Sequence, residues 1–426
     1  MNKVETNSWI DDIDRNIIPY VEIEDSEYLY PTVTGLKIFS QEYNKLTEYA
    51  IKWYNESRNT LWNRLETIRN SNSNDDIFTE DMEIVYQFIK SKEDIYSNII
   101  RLDFVKDIYG EFKMVEANAD TPCAIPESFY GNPLYQDKPE LWESLVMDIG
   151  KLFVNKLIDN KGYIVFASSS YQEDWYNNKY LYECTKTYIE VNGLKDVYCN
   201  ICELGALEVF DDGVFLNGRK IDVLYRLHPI ELLIEDVTDD GYKIGWKLIE
   251  LHYENKVVLV NPPSAIFLQN KNLMKYISHL DFVPNTYDKD HINNGDKFHI
   301  VYKEVYGREG ENIRVFDDKK EYDKFIKSDS FISNECIIQD FIEQEPESGI
   351  IVYDSGGNKE EKDLYITYSI FLLDGKPSVT YTRGSVSYIC DYSAFWIPSY
   401  VYEDESMFTD DGLSIEEFRN NLNKKR

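Results

Sequence analysis

Apolar side chains recur at a helical period early in the chain. Between Phe39 and Ile68 they return every three to four positions, which predicts one long amphipathic helix, with or without a break near Ser57. A second helix is predicted from about Thr79 to Lys92. Residues 1–36 lack this period and are expected to form an irregular arm with short strands.

Two apolar runs flank a turn at Tyr109–Gly110 and are interrupted by polar residues at a spacing of two. The first run, IIRLDFV, carries Arg101 and Asp103, and the second, FKMVEAN, carries Glu116 and Asn118. Residues i and i+2 of a strand face the same side, so a hairpin would project all four side chains from one face. That face would hold two carboxylates, an amide oxygen and a guanidinium.

The middle third alternates between helical and strand patterns, which is typical of an α/β lobe. Its helices are predicted at 140–158, 180–191 and 247–253, and its strands at 163–167, 197–201, 221–225 and 257–260. The last third is mostly β after a helix at 271–279, with strands at 299–305, 313–316, 337–341, 349–353, 364–373, 378–383 and 385–390. A helix at 319–327, a polar loop at 354–363 and a basic-tipped helix at 413–426 complete the prediction.

The composition of the chain favours some classes of function and disfavours others. The chain has 426 residues, 43% of them hydrophobic, which is enough for a real core and two or three domains. A net charge of −32 argues against nucleic acid as a partner. An acidic surface would attract a polycation such as a polyamine, although solubility explains the charge at least as well. Without an apolar leader or an apolar run near ~18 residues, we expect a cytoplasmic protein.

Cysteine usage points to no redox or metal framework. Of six cysteines, only Cys199 and Cys202 form a CxxC pair, and the chain has five histidines. A lone CxxC is weak evidence for zinc, so two half-buried thiols in a strand are the preferred interpretation.

The four polar residues of the predicted hairpin suggest a metal and phosphate site. Mg²⁺ binds through one or two carboxylates together with phosphate oxygens, which suits Asp103, Glu116 and Asn118. The Arg101 guanidinium would pair with the negative charge of a phosphate. A solvated ribbon explains any one of them, but the four together, followed by the turn-prone sequence NADTP, favour a substrate pocket.

A second group of residues fits nucleotide binding. Lys303 lies on a strand that opens into a loop containing Gly307 and Gly310, whose N–H groups could fold over phosphate oxygens. The loop is not a P-loop, and alone it is better explained as a hairpin connection. Lys271 begins a helix, where a solvated lysine is the usual finding.

Other candidates lie toward the C-terminus and in the middle lobe. The strand that ends at Gln339 and Phe341 could hinge two lobes and offer backbone groups to adenine, or be an ordinary strand end. Arg383 could bind a substrate carboxylate bidentately. Arg226 and Asp391 are the remaining candidates for substrate contact.

Taken together, these motifs resemble the synthetase domain of the glutathionylspermidine synthases, a branch of the ATP-grasp ligases. The resemblance runs from about residue 20 to 405 through RLDF…NADTP, VLYRLHPIE, NPPSAIFLQNKNLM, VYKEVYGREGENI, IIQDFI and TRGSVSYICDYSAFWIPSY. It implies an α/β (α+β), ATP-grasp-like fold whose metal-binding hairpin precedes the ATP lysines, plus a middle α/β lobe. The implied units are 1–160, 161–260, 261–405 and a tail at 406–426, with no amidase domain.

The resemblance also implies roles for single residues. Those matching the family's Mg²⁺ ligands are Asp103, Glu116 and Asn118. Arg101 matches the arginine beside the transferred phosphoryl group. The residues that match ATP contacts are Lys271, Lys303, Gly307, Gly310, Gln339 and Phe341. Arg308 and Arg383 match arginines that contact the carboxylate substrate or its acyl phosphate. Thr121 and Cys123 fall where the family has small hydroxyl residues that contact a thiol tripeptide. Cys123 and a middle motif without tryptophan depart from the family, which bears on the peptide substrate more than on ATP.

The expected function is therefore an ATP- and Mg²⁺-dependent carboxylate–amine ligase that works through an acyl phosphate. Its partners would be a small or peptide carboxylate and an amine such as a polyamine, with no nucleic acid or membrane, and a homodimer is one candidate state. The alternative is an ATP-binding regulator or assembly protein that kept the fold. A purely structural acidic protein would need none of these residues.

Overall fold

The computed structural model describes residues 9–19, 31–71, 74–239, 241–288, 298–328, 335–353 and 358–402. The α-helices within these ranges are α1 (Ser40–Ser71), α2 (Glu83–Tyr86), α3 (Asn132–Tyr135), α4 (Pro139–Val154), α5 (Gln172–Val191), α6 (Ile230–Leu233), α7 (Ile244–Tyr253), α8 (Ala265–Gln269), α9 (Leu273–Ile277) and α10 (Lys319–Phe325). The predicted C-terminal helix at 413–426 and part of the polar loop at 354–363 lie outside the described residues.

The described strands fall into several sheets. In chain order they are β1 (Leu36–Phe39), β2 (Ile99–Lys106), β3 (Phe112–Asn118), β4 (Gly162–Ser168), β5 (Val197–Glu203), β6 (Glu208–Phe210), β7 (Gly213–Leu216), β8 (Arg219–Lys220), β9 (Val223–Leu227), β10 (Val258–Val260), β11 (Thr286–Tyr287), β12 (Ile300–Glu304), β13 (Arg314–Phe316), β14 (Cys336–Asp340), β15 (Glu347–Tyr353), β16 (Lys359–Leu373), β17 (Lys376–Ser385), β18 (Phe395–Ile397) and β19 (Ser399–Tyr402).

The first helix is continuous, without the break near Ser57 that the sequence left open. α1 runs for 32 residues and buries one apolar face that includes Leu46, Trp53 and Leu61. Ser57 lies on that face and is itself buried, so the helix continues through it. The amphipathic pattern therefore predicted this element correctly.

The second predicted helix is wrong in length. Only a 3₁₀ turn at Glu80–Met82 and the four residues of α2 are helical there. Ser91 and Asp94 form a capping box that starts a separate turn at Lys92–Asp94. Side-chain bonds of this kind compete with a continuing helix, which explains the early end.

The predicted hairpin is confirmed, and it lies inside a larger antiparallel sheet. β2 and β3 pair so that Arg101 stands opposite Asn118 and Asp103 opposite Glu116. On its other side β2 pairs with β16, and the sheet continues through β17 to β18. β2 is therefore a central strand, and its residues Arg101 and Asp103 are buried.

The middle of the chain forms the predicted alternation of strands and helices. Its parallel sheet has the order β10-β9-β4-β5, and α4 and α5 pack against one another. Cys199 and Cys202 both lie on β5, three positions apart and therefore on opposite faces. All six cysteines are free thiols.

A smaller antiparallel sheet, in the order β11-β14-β12-β13, covers one side of the cleft described below. Ile300 and Tyr302 of β12 pack into an apolar cluster with residues of α10. The alternate positions, Val301 and Lys303, face the other way. The sheet therefore presents an apolar back to its own core and a mixed face to the cleft.

The strand predicted at 385–390 is wrong. Regular pairing of β17 ends at Ser385, and the chain bends through the next residues before β18 begins. The hydroxyls of Ser385 and Ser387 both donate to the Ile389 carbonyl, at 3.2 and 2.8 Å. These local bonds replace ladder bonds.

Over the described ranges, no helix has both the length and the apolar character that a membrane crossing requires.

Candidate functional site

A cleft separates β12, β13 and β14 from the face of the sheet that carries the hairpin. The space between them, including its open mouth, is about 890 Å³. The predicted site residues that line it are Asp103, Glu116, Lys271, Lys303, Gly307, Arg308, Gly310, Gln339, Phe341 and Arg383. Residues up to 280 positions apart in sequence are thus brought to one surface.

Two arginines share one buried carboxylate at the base of the cleft. Arg101 donates from Nε and Nη2 to the two oxygens of Asp103, at 2.9 and 3.0 Å. Arg383 donates from Nη2 to Asp103 Oδ2 at 3.1 Å. Burial alone would raise the pKa of Asp103, but the guanidinium charges of Arg101 and Arg383 outweigh it and lower the pKa. The group is therefore a stable anion that orients two cations.

Glu116 and Asn118 flank this network on β3. Glu116 lies 3.5 Å from the Lys271 ammonium, and Asn118 donates to Asp103 at 3.3 Å. Two carboxylates and an amide fit Mg²⁺, which usually keeps several waters and takes further oxygens from a substrate phosphate. Within the described ranges, no group of three or more His, Cys, Asp or Glu side chains could hold a metal by itself.

The two lysines face the hairpin from the opposite wall. Lys271 precedes α9, and its Nζ donates to the Gly307 carbonyl at 2.8 Å. The Lys303 Nζ donates to Gln339 Oε1 at 2.8 Å and to the Val115 carbonyl at 3.2 Å. Burial lowers the pKa of Lys303 to about 8, and the charge of Lys271 acts in the same direction. A negatively charged ligand would relieve this unfavourable burial.

Two contacts hold the glycine-containing loop in place, one at Arg308 and one at Gly310. Arg308 forms an ion pair with Glu231 of α6, which ties the loop to the middle of the chain. Gly310 has a φ of +73°, and a Cβ there would lie 3.0 Å from Ile389 and 3.1 Å from the Cys390 carbonyl oxygen. Both the backbone angle and the close approach require glycine at this position.

Gln339 and Phe341 have different surroundings at the end of β14. The Gln339 side chain is 1% exposed, accepts from Lys303 and donates to Thr286 Oγ1 at 3.0 Å. It therefore positions a lysine. The Phe341 ring stacks on His299 at 4.1 Å, and the Phe341 N–H donates to the His299 carbonyl.

Thr121, Cys123 and Asp391 lie beyond the cleft lining. The Cys123 carbonyl accepts from Arg101 Nη1 at 3.1 Å, which places this tail directly beside the arginine network. Burial raises the pKa of the Cys123 thiol, so it stays protonated. Asp391 accepts from the backbone and hydroxyl of Ser393, close to the tip of the loop at Gly310.

Arg226, predicted to contact substrate, lies instead in a buried ion pair that the sequence did not reveal. Its Nη2 lies 2.5 Å from Asp120 Oδ1, and both side chains are fully buried. Asp120 Oδ2 also accepts the Ile230 N–H at 2.8 Å, and Asn261 Nδ2 donates to the Asp120 carbonyl at 2.8 Å. The pair fixes the end of the hairpin against the parallel sheet. The only hint in the sequence was one opposite charge within each of the motifs NADTP and YRLHP.

Three carboxylates near Cys123 were also missed. Glu173 and Asp174 lie in the first turn of α5, and Glu127 is buried. Burial raises the pKa of Glu173 to about 8, and the neighbouring charges of Glu127 and Asp174 raise it in the same direction. These residues occur in polar stretches of ordinary composition, so no sequence signal distinguished them.

The chain is similar to known proteins in sequence and in structure. A family model described as glutathionylspermidine synthase preATP-grasp matches residues 37–402. An apo glutathione synthetase-like effector from Globodera pallida is similar in structure, with a TM-score of 0.57 and 8% identity over 93% of this chain and 98% of that chain. A putative γ-glutamylcysteine synthetase from Methylobacillus flagellatus has a TM-score of 0.36 and 11% identity over 73% of this chain and 81% of that chain.

The likeness to the effector extends over nearly all of both chains and shows a shared fold. The predicted fold class, an ATP-grasp-like mixed α/β fold, is confirmed. Because the family model spans most of its length, the chain belongs to the glutathionylspermidine synthase preATP-grasp family.

Proposed function

We propose that this protein is an ATP-dependent ligase that joins a carboxylate to an amine. The observation that carries the proposal is the facing arrangement of two buried lysines, Lys271 and Lys303, and an arginine–carboxylate network across one cleft. A triphosphate needs cations along its length, and a transferred phosphoryl group needs fixed positive charge around it. Both requirements are met by groups already held in place.

The polar groups of the cleft divide into those that would bind the phosphates of the nucleotide and those that would hold the metal ion. Lys271, Lys303 and the N–H groups of the loop at Gly307 and Gly310 would bind phosphate oxygens. Glu116, with Asp103 and Asn118, would hold Mg²⁺. That ion, when bound, neutralises phosphate charge.

The chemistry requires no protein nucleophile. The substrate carboxylate oxygen would attack the γ-phosphorus of ATP, which releases ADP and forms an acyl phosphate. The amine nitrogen would then attack the acyl carbon, phosphate would leave with the bonding electrons, and the amine would lose a proton. Arg101 and Arg383 are proposed to stabilise the transferred charge, and Arg308 to bind the carboxylate.

The substrates are proposed to enter beside the tail that contains Thr121 and Cys123. This tail contacts Arg101 directly, and the buried carboxylates of Glu127 and Glu173 lie near it. A cationic amine bound there would favour the ionised form of Glu173, whose pKa burial raises to about 8, and the net charge of −32 would steer a polyamine toward the protein. Asp391, at the mouth of the cleft, would add to this attraction.

An ATP-binding regulator or assembly protein remains the second candidate. The observation in its favour is Cys123, whose protonated thiol stands where the family has a hydroxyl residue. Such a protein would bind nucleotide without acid-dependent and amine-dependent turnover.

The decisive assay follows ADP release across pairs of candidate acids and amines, with mass spectrometry of the products. We expect release that needs both substrates and a product whose mass equals acid plus amine minus water. Nucleotide binding without such release for any pair would favour the regulator, and absence of nucleotide binding would refute both proposals.

Nucleotide affinity is expected to fall as pH rises through the pKa of Lys303, about 8. In the free protein this lysine loses its proton above that pH, and a bound triphosphate restores it, so binding then requires proton uptake. The dissociation constant should be nearly level up to about pH 7 and rise by up to about tenfold per pH unit well above pH 8. The folded pKa lies below the ordinary 10.5, so this group also makes stability increase with pH between the two values.

Calorimetric titrations of ATP at several pH values, in buffers of different ionisation enthalpy, check this dependence. Lys303→Arg provides the control, because its guanidinium keeps its charge and should flatten the profile. An unchanged dissociation constant for the wild-type protein from about pH 7 to 9 would contradict the assignment.

A further inference from the structure

One ion pair joins the lining of the cleft to the short helix α6. Arg308 lines the cleft, and its guanidinium contacts the carboxylate of Glu231 on α6. The Arg308 side chain is 40% exposed and the Glu231 side chain 13% exposed. The pair thus differs from that of Asp120 and Arg226, whose side chains are both fully buried. A half-exposed pair can open without leaving a cation in an apolar interior.

This pair lies beside the tail where the substrates are proposed to enter. The N–H of Ile230, the residue before Glu231, donates to Asp120 Oδ2 at 2.8 Å. Asp120 directly precedes Thr121 of the tail. Glu231 is therefore held next to the tail, and its partner Arg308 is held there with it.

Glu231 also lines a second cavity. The space has a volume of about 880 Å³, including its open side, and Val305 and Tyr306 border it as well. These two residues directly precede the part of the glycine-containing loop that lines the nucleotide cleft. Because Glu231 borders an open space, separation from Arg308 would not strand its carboxylate in the core.

The Arg308 guanidinium already binds one carboxylate in this structure. Under the proposed function the same guanidinium binds the carboxylate of the acid substrate. A cation whose charge is compensated attracts a second carboxylate only weakly, and two carboxylates on one guanidinium repel each other. The acid must therefore take the place of Glu231.

We propose that Glu231 is a built-in competitor of the acid substrate, which holds Arg308 in the free protein and releases it when the carboxylate of the acid binds. The proposal rests on the proposed function, because that function assigns the carboxylate to Arg308. The fraction of molecules in which Arg308 is free then sets the apparent affinity for the acid. Glu231 thereby raises the acid concentration that the ligase needs.

The first test is calorimetry on the full chain, with a non-hydrolysable ATP analogue present and glutathione, the tripeptide in the family's name, as the probe. Glu231→Gln keeps the size of the side chain and removes its charge, so it should bind glutathione about three- to tenfold more tightly than the wild-type protein. The affinity for the analogue should not change. Glu235→Gln is the matched control and should behave as wild type, because Glu235 is exposed and lines the same second cavity.

The second test measures how often Arg308 is free when no substrate is present. Phenylglyoxal labelling, followed by mass spectrometry of the peptides, should modify Arg308 several-fold faster in Glu231→Gln than in the wild-type protein. Arg314, exposed on β13, gives the reference rate and should react equally in both. In an Arg308→Gln background, Glu231→Gln should no longer change the affinity for glutathione.

Several results would overturn the proposal. Weaker glutathione binding by Glu231→Gln would show that Glu231 positions Arg308 for the acid, and unchanged binding or labelling would show that it does not cover Arg308. An equal change in affinity for the ATP analogue would mean that the substitution disturbs the whole cleft. Failure of both proteins to bind glutathione would also overturn the exchange, whereas ADP release with any acid and amine would still support the ligase.

Discussion

Replacing Asp120 with alanine is expected to lower the free energy of unfolding by about 3–5 kcal/mol, because it leaves the fully buried Arg226 guanidinium without a counter-charge. The same change removes the acceptor for the Ile230 N–H. It would also free the end of the hairpin, so any remaining folded protein should bind nucleotide more weakly. Urea unfolding followed by circular dichroism measures the loss.

An exposed aspartate in a comparable pair provides the control. Asp196 faces Lys161 at 3.5 Å with its side chain 65% exposed, and Asp196→Ala should change stability by less than about 1 kcal/mol. Removing both buried charges in Asp120→Ala with Arg226→Met should recover part of the loss, since no unpaired charge remains. If Asp120→Ala alone is as stable as Asp196→Ala, the buried pair does not hold the hairpin as described.

Lys303→Met is expected to reduce ADP release by about 10²–10³-fold, because it removes a fixed positive charge from the phosphate site. The fold should persist. Burial of the charged amine opposes folding, as its lowered pKa shows, and a methionine of similar length removes that opposition. Loss of the bonds to Gln339 and Val115 works in the other direction, so stability should change by about 1 kcal/mol or less.

The matched control for Lys303→Met is Lys319→Met. Lys319 lies on α10, which packs against the same small sheet. Lys319 is exposed and pairs only weakly with Asp323 at 3.3 Å, so turnover should be unchanged. Steady-state rates and thermal melts of both variants separate the two effects. Turnover by Lys303→Met at the wild-type rate would remove this lysine from the nucleotide site.

Local pattern predicted much of the fold. The period of α1 and the alternation around Arg101 and Asp103 each follow from short stretches of sequence, because one face of the element must be buried. The predictions failed where side chains bond to nearby backbone, as at Ser91 and Ser385. At Ser385 the failure has a functional counterpart, since the irregular segment carries Tyr388 into the cleft. Local rules are commonly broken at such sites.

The site was predictable in its residue types and less so in its contacts. The lysines and the hairpin residues were recognisable from their motifs, and Asp103, Glu116, Lys271 and Lys303 all line one cleft. That Asp103 serves two arginines, from β2 and from β17, depends on pairing between strands far apart in sequence, which no local pattern encodes. The same holds for Arg226, whose partner Asp120 lies 106 residues away.

The central claim is that one nucleoside triphosphate lies between the two lysines and the hairpin. A crystal structure of the protein with Mg²⁺ and a non-hydrolysable ATP analogue tests it most directly. The account predicts phosphate oxygens within about 3 Å of the Nζ atoms of Lys271 and Lys303, and metal density beside Glu116. A nucleotide bound elsewhere, or a cleft that stays empty at saturating analogue, would contradict it.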